Sequence, residues 1–159
     1  MTQKLDGLMT RAEALLAKLE GCLQTKTQAV DWDAIAWRWV TLQGAGSLQP
    51  ITHPHQVLLE NIRFVDVQKA EVVRNTRQFL QGLTANNILL TGARGTGKSS
   101  LIKALLTDFS SKGLRLIEVE KHDLVHLPEV VSLIRNRPEK FIIYCDDLTF
   151  EANDIAYKA

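Results

Sequence analysis

The chain has 159 residues, 45% of them apolar and 23% charged, with 19 Lys and Arg against 18 Asp and Glu. That apolar share excludes the charge-rich composition of a disordered chain, and a net charge of +1 gives no strong signal for nucleic acid or an anionic membrane as partner. No apolar run approaches the roughly 18 residues of a spanning helix, the N-terminus lacks a signal-peptide core, and two cysteines, Cys22 and Cys145, make no disulfide framework; a cytoplasmic location is expected.

In chain order, the first predicted element is an amphipathic helix. Leu5, Leu8, Met9, Ala12, Leu15, Leu16, Leu19 and Leu23 recur at three- and four-residue steps, with Lys4, Arg11, Glu13, Lys18 and Glu20 elsewhere on the wheel. It serves either self-association or a protein partner, or it packs on its own domain. Asp31-Trp32-Asp33 then predicts the cap of a short helix through Trp39. Gly44-Ala45-Gly46-Ser47 and Pro50 read as loop, as does His53-Pro54-His55. Trp32, Trp37 and Trp39 predict a small satellite core rather than a ligand platform. Residues 1–60 are thus expected to be mainly helical, ahead of a second region spanning 61–159.

In that second region Asp66 predicts the N-cap of a helix through about Gln81, with Ala70, Val73, Phe79 and Leu80 on one face and Gly82 at the C′ position. Asn87 to Thr91 is a continuous apolar run, as expected of a strand buried on both faces. A glycine-rich turn follows, then a helix from Lys98 to Phe109 and a stop at Gly113. Leu114 to Val119 predicts a strand, Pro128 opens a helix through about Arg135, and Phe141 to Cys145 predicts another strand. Strands alternating with helices predict an α/β fold with a parallel sheet.

The chemistry concentrates in Gly92-Ala93-Arg94-Gly95-Thr96-Gly97-Lys98-Ser99, a full match to the phosphate-loop pattern G-x-x-x-x-G-K-[ST], and in Ser100 beside it. Such a loop wraps a phosphate chain closely enough for its backbone N–H groups to point inward, which side chains would obstruct. The helix that follows aims unpaired N–H groups at the same phosphates. Lys98 is expected to supply a charge at the β- and γ-phosphates, and the Ser99 hydroxyl to ligate Mg²⁺. Downstream, the strand ending in Asp146-Asp147 supplies a metal carboxylate, Asp146, and a candidate water-activating residue, Asp147. The guanine-specific N-K-x-D motif is absent, so ATP is the expected nucleotide, with Phe64 and Val65 in the stretch Ile62 to Asp66 as candidate adenine contacts. His122 and His126 lie four apart without the intervening Glu of a zinc helix, so no zinc site is expected.

On these residues the chain resembles an uncharacterised bacterial family of predicted AAA+ ATPases. The match rests on Ala85 to Leu101, Gly113 to Val119 and Phe141 to Phe150, and upstream on Asp31-Trp32-Asp33, Ala36 to Trp39, Asp66 to Lys69 and Asn75-Thr76. The resemblance implies a cytoplasmic, Mg²⁺-dependent ATPase in which ATP is bound and ADP released. It also implies that the phosphate-loop strand lies between two strands found further along such chains, together with an arginine finger and a lid. The expected fold is therefore an incomplete phosphate-loop NTPase sheet with flanking helices, in which Asn87 to Thr91 has no hydrogen-bonded neighbour. Little turnover is expected of this fragment alone. The competing functional expectations are a nucleotide-dependent interaction switch without turnover and, less favoured, a small-molecule kinase.

Overall fold

The computed structural model describes residues 29–42 and 44–148, together with Arg11, Glu13 and Ala14. Those three positions are helical, and the rest of the predicted Leu5–Leu23 helix lies outside the described residues. Among the described residues, no helix is long and apolar enough to cross a membrane.

Strand β1 (Ala36–Leu42) occupies the stretch where a capped helix was expected. Its aromatic residues alternate with polar ones, a pattern that suits a pleat: Trp37 and Trp39 are buried while Arg38 between them is exposed. The Asp31 carboxylate does accept a local N–H, from Asp33 at 3.1 Å, but it closes a turn rather than starting a helix. The backbone carbonyl of the same residue accepts from Trp37 Nε1 at 2.9 Å, which fixes the way into the strand.

Strand β2 (Ala45–Pro50) pairs antiparallel with β1, with Trp37 opposite Pro50 and Leu42 opposite Ala45. This corrects the loop reading of Gly44 to Ser47 and Pro50. The glycines serve the hairpin instead: Gly44 turns it at φ +81°, and Gly46 makes room for the Trp39 indole. Pro50 sits at the strand end, where a missing N–H is tolerated. Within residues 29–60 the regular structure is therefore chiefly this hairpin, where a short helix and loops were expected.

Helix α1 (Asp66–Leu80) begins at Asp66 itself, with Val65 in the cap position. Its inward face carries buried Val72 and Thr76 with half-buried Val73, Phe79 and Leu80, whereas Ala70 is exposed. Gly82 closes the helix in the left-handed region at φ +75°. Its N–H reaches the Phe79 carbonyl and that of Leu83 reaches Gln78, each at 3.0 Å, a Schellman motif.

Helix α2 (Lys98–Phe109) has the predicted bounds and buries Leu101, Ile102, Ala104, Leu105, Leu106 and Phe109. A single 3₁₀ turn and Gly113 at φ +90° end it, and β3 (Leu114–Glu118) follows. Helix α3 (Leu127–Ile134) opens with Pro128 in its first turn, and β4 (Lys140–Tyr144) completes the described elements.

The sheet order is β2-β1-β3-β4. β1 and β4 both run parallel to β3 while β2 runs antiparallel to β1, so the sheet is mixed rather than wholly parallel. Strand alternation divides the core in two. Leu114, Leu116, Ile142 and Tyr144 face α1 and α2 with Leu101 and Leu105. Trp37, Trp39, Ile117, Phe141 and Ile143 face the other way with Val130 of α3, the tryptophan-centred core the sequence predicts.

One predicted strand is absent. Asn87 to Thr91 forms no strand among the described residues, and Leu89 is 71% exposed. The expectation of a strand buried on both faces is overturned: β4 pairs with β3 on one edge, while its other edge faces this segment across a groove. A backbone without a partner strand gains nothing from leaving water, so it stays exposed.

Candidate functional site

The glycine-rich loop joins the unpaired segment to α2, and its shape follows from its glycines. Gly92, Gly95 and Gly97 have φ of +139°, +79° and +84°, conformations that side-chain-bearing residues rarely adopt. Gly97 occupies the N-cap of α2, and its carbonyl accepts the first helical hydrogen bond from Leu101 N–H at 2.8 Å. With no side-chain cap, the first amides of α2 are left open toward the loop.

Lys98 folds back over the loop, its Nζ donating to the carbonyl oxygens of Gly92 and Ala93, both at 2.8 Å. Thr96 Oγ1 also donates to the Ala93 carbonyl at 2.8 Å. Ser100 follows as the third residue of α2 and is half-buried.

The two residues predicted to share a metal meet across the fold. Ser99 Oγ donates to Asp146 Oδ2 at 2.7 Å, joining the first turn of α2 to the residue two beyond the end of β4. The other carboxylate oxygen of Asp146 accepts the Asp147 N–H at 3.0 Å. Burial would raise the Asp146 pKa, but hydrogen bonds from Ser99 and the Asp147 backbone, the neighbouring Tyr144 hydroxyl and the charge of Lys103 outweigh it and hold the carboxyl below its ordinary 3.8.

Asp147 stands apart from that contact. Its backbone is left-handed at φ +50°, and its carboxylate pairs with Arg94 of the loop at 3.3 Å. Both side chains are largely exposed, so the pair itself adds little stability. A positive φ on a residue with a side chain is uncommon and marks a position worth attention.

A groove of about 830 Å³ runs beside these groups, lined by Asn86 to Gly92, Arg94 and Lys98 on one side and Phe141 to Leu148 on the other. Phe64 and Val65 do not line it. Phe64 is 97% exposed at φ +66°, and Val65 packs against the α1–α2 core. The fold therefore brings the glycine-rich loop, Lys98, Ser99, Asp146 and Asp147 together and leaves the two candidate base contacts elsewhere. His122 contacts Glu120 and Asp123, and His126 contacts Glu129. Among the described residues, no group of three or more His, Cys, Asp or Glu side chains is arranged to hold a metal.

Two residues without a predicted role shape the site. Asn75 of α1 grips the segment before the loop: its Nδ2 donates to the Asn86 carbonyl at 2.8 Å, and its Oδ1 accepts the Asn86 N–H at 2.9 Å. No sequence pattern announces that long-range contact. Tyr144 sits two residues before Asp146, so the period-two rule does place it on the same face. Burial in that position, more than any other cause, pushes its phenol up to about 12.

Fold and site together define an α/β protein whose four-stranded mixed sheet carries helices on both faces and a glycine-rich loop at one end. The chain belongs to the family described as "Protein of unknown function (DUF815)", which matches residues 32–159. No curated protein and no solved structure matches it.

Proposed function

We propose that this chain is a phosphate-loop ATP-binding protein of AAA+ type, within a protein that hydrolyses ATP with Mg²⁺. The observation that carries the reading is the contact of Ser99 with Asp146 at 2.7 Å directly beside the glycine-rich loop. It sets a hydroxyl and a carboxylate side by side next to backbone amides that lack partners.

The residues fit the groups they would hold. Mg²⁺ takes oxygen ligands and is typically bound through one or two carboxylates with phosphates and water, so one Asp and one Ser suffice and no three-residue cluster is required. When bound, the ion neutralises phosphate charge. The loop amides of Gly95, Thr96 and Gly97 and the open end of α2 hold the phosphates. Lys98 exchanges its two carbonyl partners for phosphate oxygens, trading neutral acceptors for charged ones. Asp147 is the group that orients or deprotonates the attacking water.

A second reading, a nucleotide-dependent switch without turnover, is favoured by the Arg94–Asp147 pair, because it ties Asp147 to the glycine-rich loop, where a bound phosphate would disturb it. Titration of a fluorescent ATP analogue into wild type and Lys98→Ala, with and without Mg²⁺, tests the binding claim. Wild type should bind at least tenfold more tightly, as expected for the loss of a charge-assisted contact. Equal affinity of both proteins in every condition removes the reading. Sustained phosphate release lost in Asp147→Asn supports hydrolysis, and tight binding without release supports the switch.

A further inference from the structure

The run from Gly92 to Ser99 carries two cations, and the fold uses them differently. Lys98 turns inward onto the carbonyls of Gly92 and Ala93. Arg94 reaches out of the loop instead. Its Nη2 meets Asp147 Oδ2 at 3.3 Å, which joins the loop to the residue three past the end of β4. Arg94 stands between Gly92 and Gly95, both at positive φ, within the bend that presents the loop amides. Arg94 and Asp147 both line the groove beside that bend. The pair is lightly held: Arg94 is 88% and Asp147 66% exposed, and such a pair shifts an equilibrium by no more than about fivefold.

The signs of the charges decide what a phosphate chain in the loop would do to this pair. A polyanion attracts the guanidinium and repels the carboxylate, so both forces open it. The guanidinium gains by the exchange, because phosphate offers more charge and a bidentate partner. Asp147 does not follow, since its N–H is held by Asp146 Oδ1 at 3.0 Å and Asp146 is joined to Ser99. We propose that Arg94 is the phosphate sensor of the site. It holds Asp147 until a phosphate chain binds, then transfers to the phosphates and frees the carboxylate for the water it orients. This rests on the nucleotide reading above and adds its regulation.

The test is a titration of a fluorescent ATP analogue with Mg²⁺ into the full chain, at low ionic strength, where an exposed pair is least screened. The proteins are wild type, Arg94→Ala, Asp147→Asn, the double variant and Lys98→Ala. Thermal unfolding of the two pair variants and their double should stay within a few degrees of wild type, since both residues are exposed. Arg94→Ala should weaken binding about tenfold, the worth of one contact to a charged group. Asp147→Asn should tighten binding, and by about threefold more in the chain that keeps Arg94 than in Arg94→Ala. That excess measures the pair broken on binding, with simple repulsion cancelled between the two backgrounds. An equal gain in both backgrounds overturns the proposal, because the pair then does not compete with phosphate. A smaller gain where Arg94 is kept also overturns it, because the pair then forms on binding. Arg94→Ala affinity equal to wild type overturns it as well. In each of these cases a loss in Lys98→Ala leaves the site reading standing. Lys98→Ala equal to wild type removes that reading, and this role with it.

Discussion

Gly46 has no room for a side chain. A Cβ built there overlaps the indole of Trp39, a ring that is itself 2% exposed and held in the core between the sheet and α3. The indole cannot retreat, because Leu48, Val130 and Ile117 are packed in the same core. Gly46→Ala should therefore destabilise the chain by about 1–3 kcal/mol, the usual cost of overpacking. The urea midpoint should fall with little change in slope. A midpoint equal to wild type would mean that the hairpin shifts to admit the methyl group. The same residue explains a misreading. Gly44-Ala45-Gly46-Ser47 has the composition of a loop, and only the tryptophan across the hairpin turns a glycine into a packing residue. That partner lies seven positions away, and nothing in local composition reveals it.

At the scale of elements, legibility followed the range of the forces involved. Helix α2 and strands β3 and β4 appear where the sequence places them because their apolar patterns and glycine stops are local signals. The contact of Ser99 with Asp146 was legible for the same reason: one lies in the first turn of α2 and the other just past β4, both correctly placed elements. β1 was hidden because a good helix cap, Asp31, precedes a run whose pairing partners, β2 and Leu116 to Glu118, the sequence does not show to be adjacent. The Asn75–Asn86 contact was equally hidden, and it makes a prediction about the segment between α1 and the loop. Two hydrogen bonds with one side-chain amide tie this segment to α1, while Leu90 packs against the core that α1 shares. Both are exposed, so their loss costs little overall, about 1 kcal/mol. Asn75→Ala should leave the melting temperature within a few degrees of wild type and speed limited proteolysis between Ala85 and Gly92 severalfold. Unchanged cleavage would show that the groove lining, and not the amide, holds this stretch.

Taken whole, the molecule is unequal across its sheet. Trp37, Leu105, Ile117 and Val130 are fully buried around the central strands β1 and β3, each of which is paired on both sides. At one border the hairpin closes the sheet with β2. At the other, β4 is half-buried along its whole length and faces a groove whose far wall is the unpaired run Asn87 to Thr91. That run is as apolar as a core strand, yet Ile88 is 41% and Leu89 71% exposed. Composition alone predicts burial here, and topology denies it: apolar side chains are buried only where the backbone beside them also finds partners. Opening free energies should follow the same division. In native-state hydrogen exchange the amides of Trp37, Leu116 and Ile117 should be the slowest, exchanging only through global unfolding. Those of Ile88, Leu89 and Leu90 should exchange at least about a thousandfold faster, through local fluctuations. Adding saturating ATP analogue with Mg²⁺ should slow the amides of Gly95, Thr96 and Gly97 and leave Ile88 to Leu90 fast, because phosphate contacts supply acceptors to the loop but not to the segment before it. Protection of Ile88 to Leu90 equal to that of β3, with no nucleotide added, would mean that this run has a strand partner and that the sheet continues past β4.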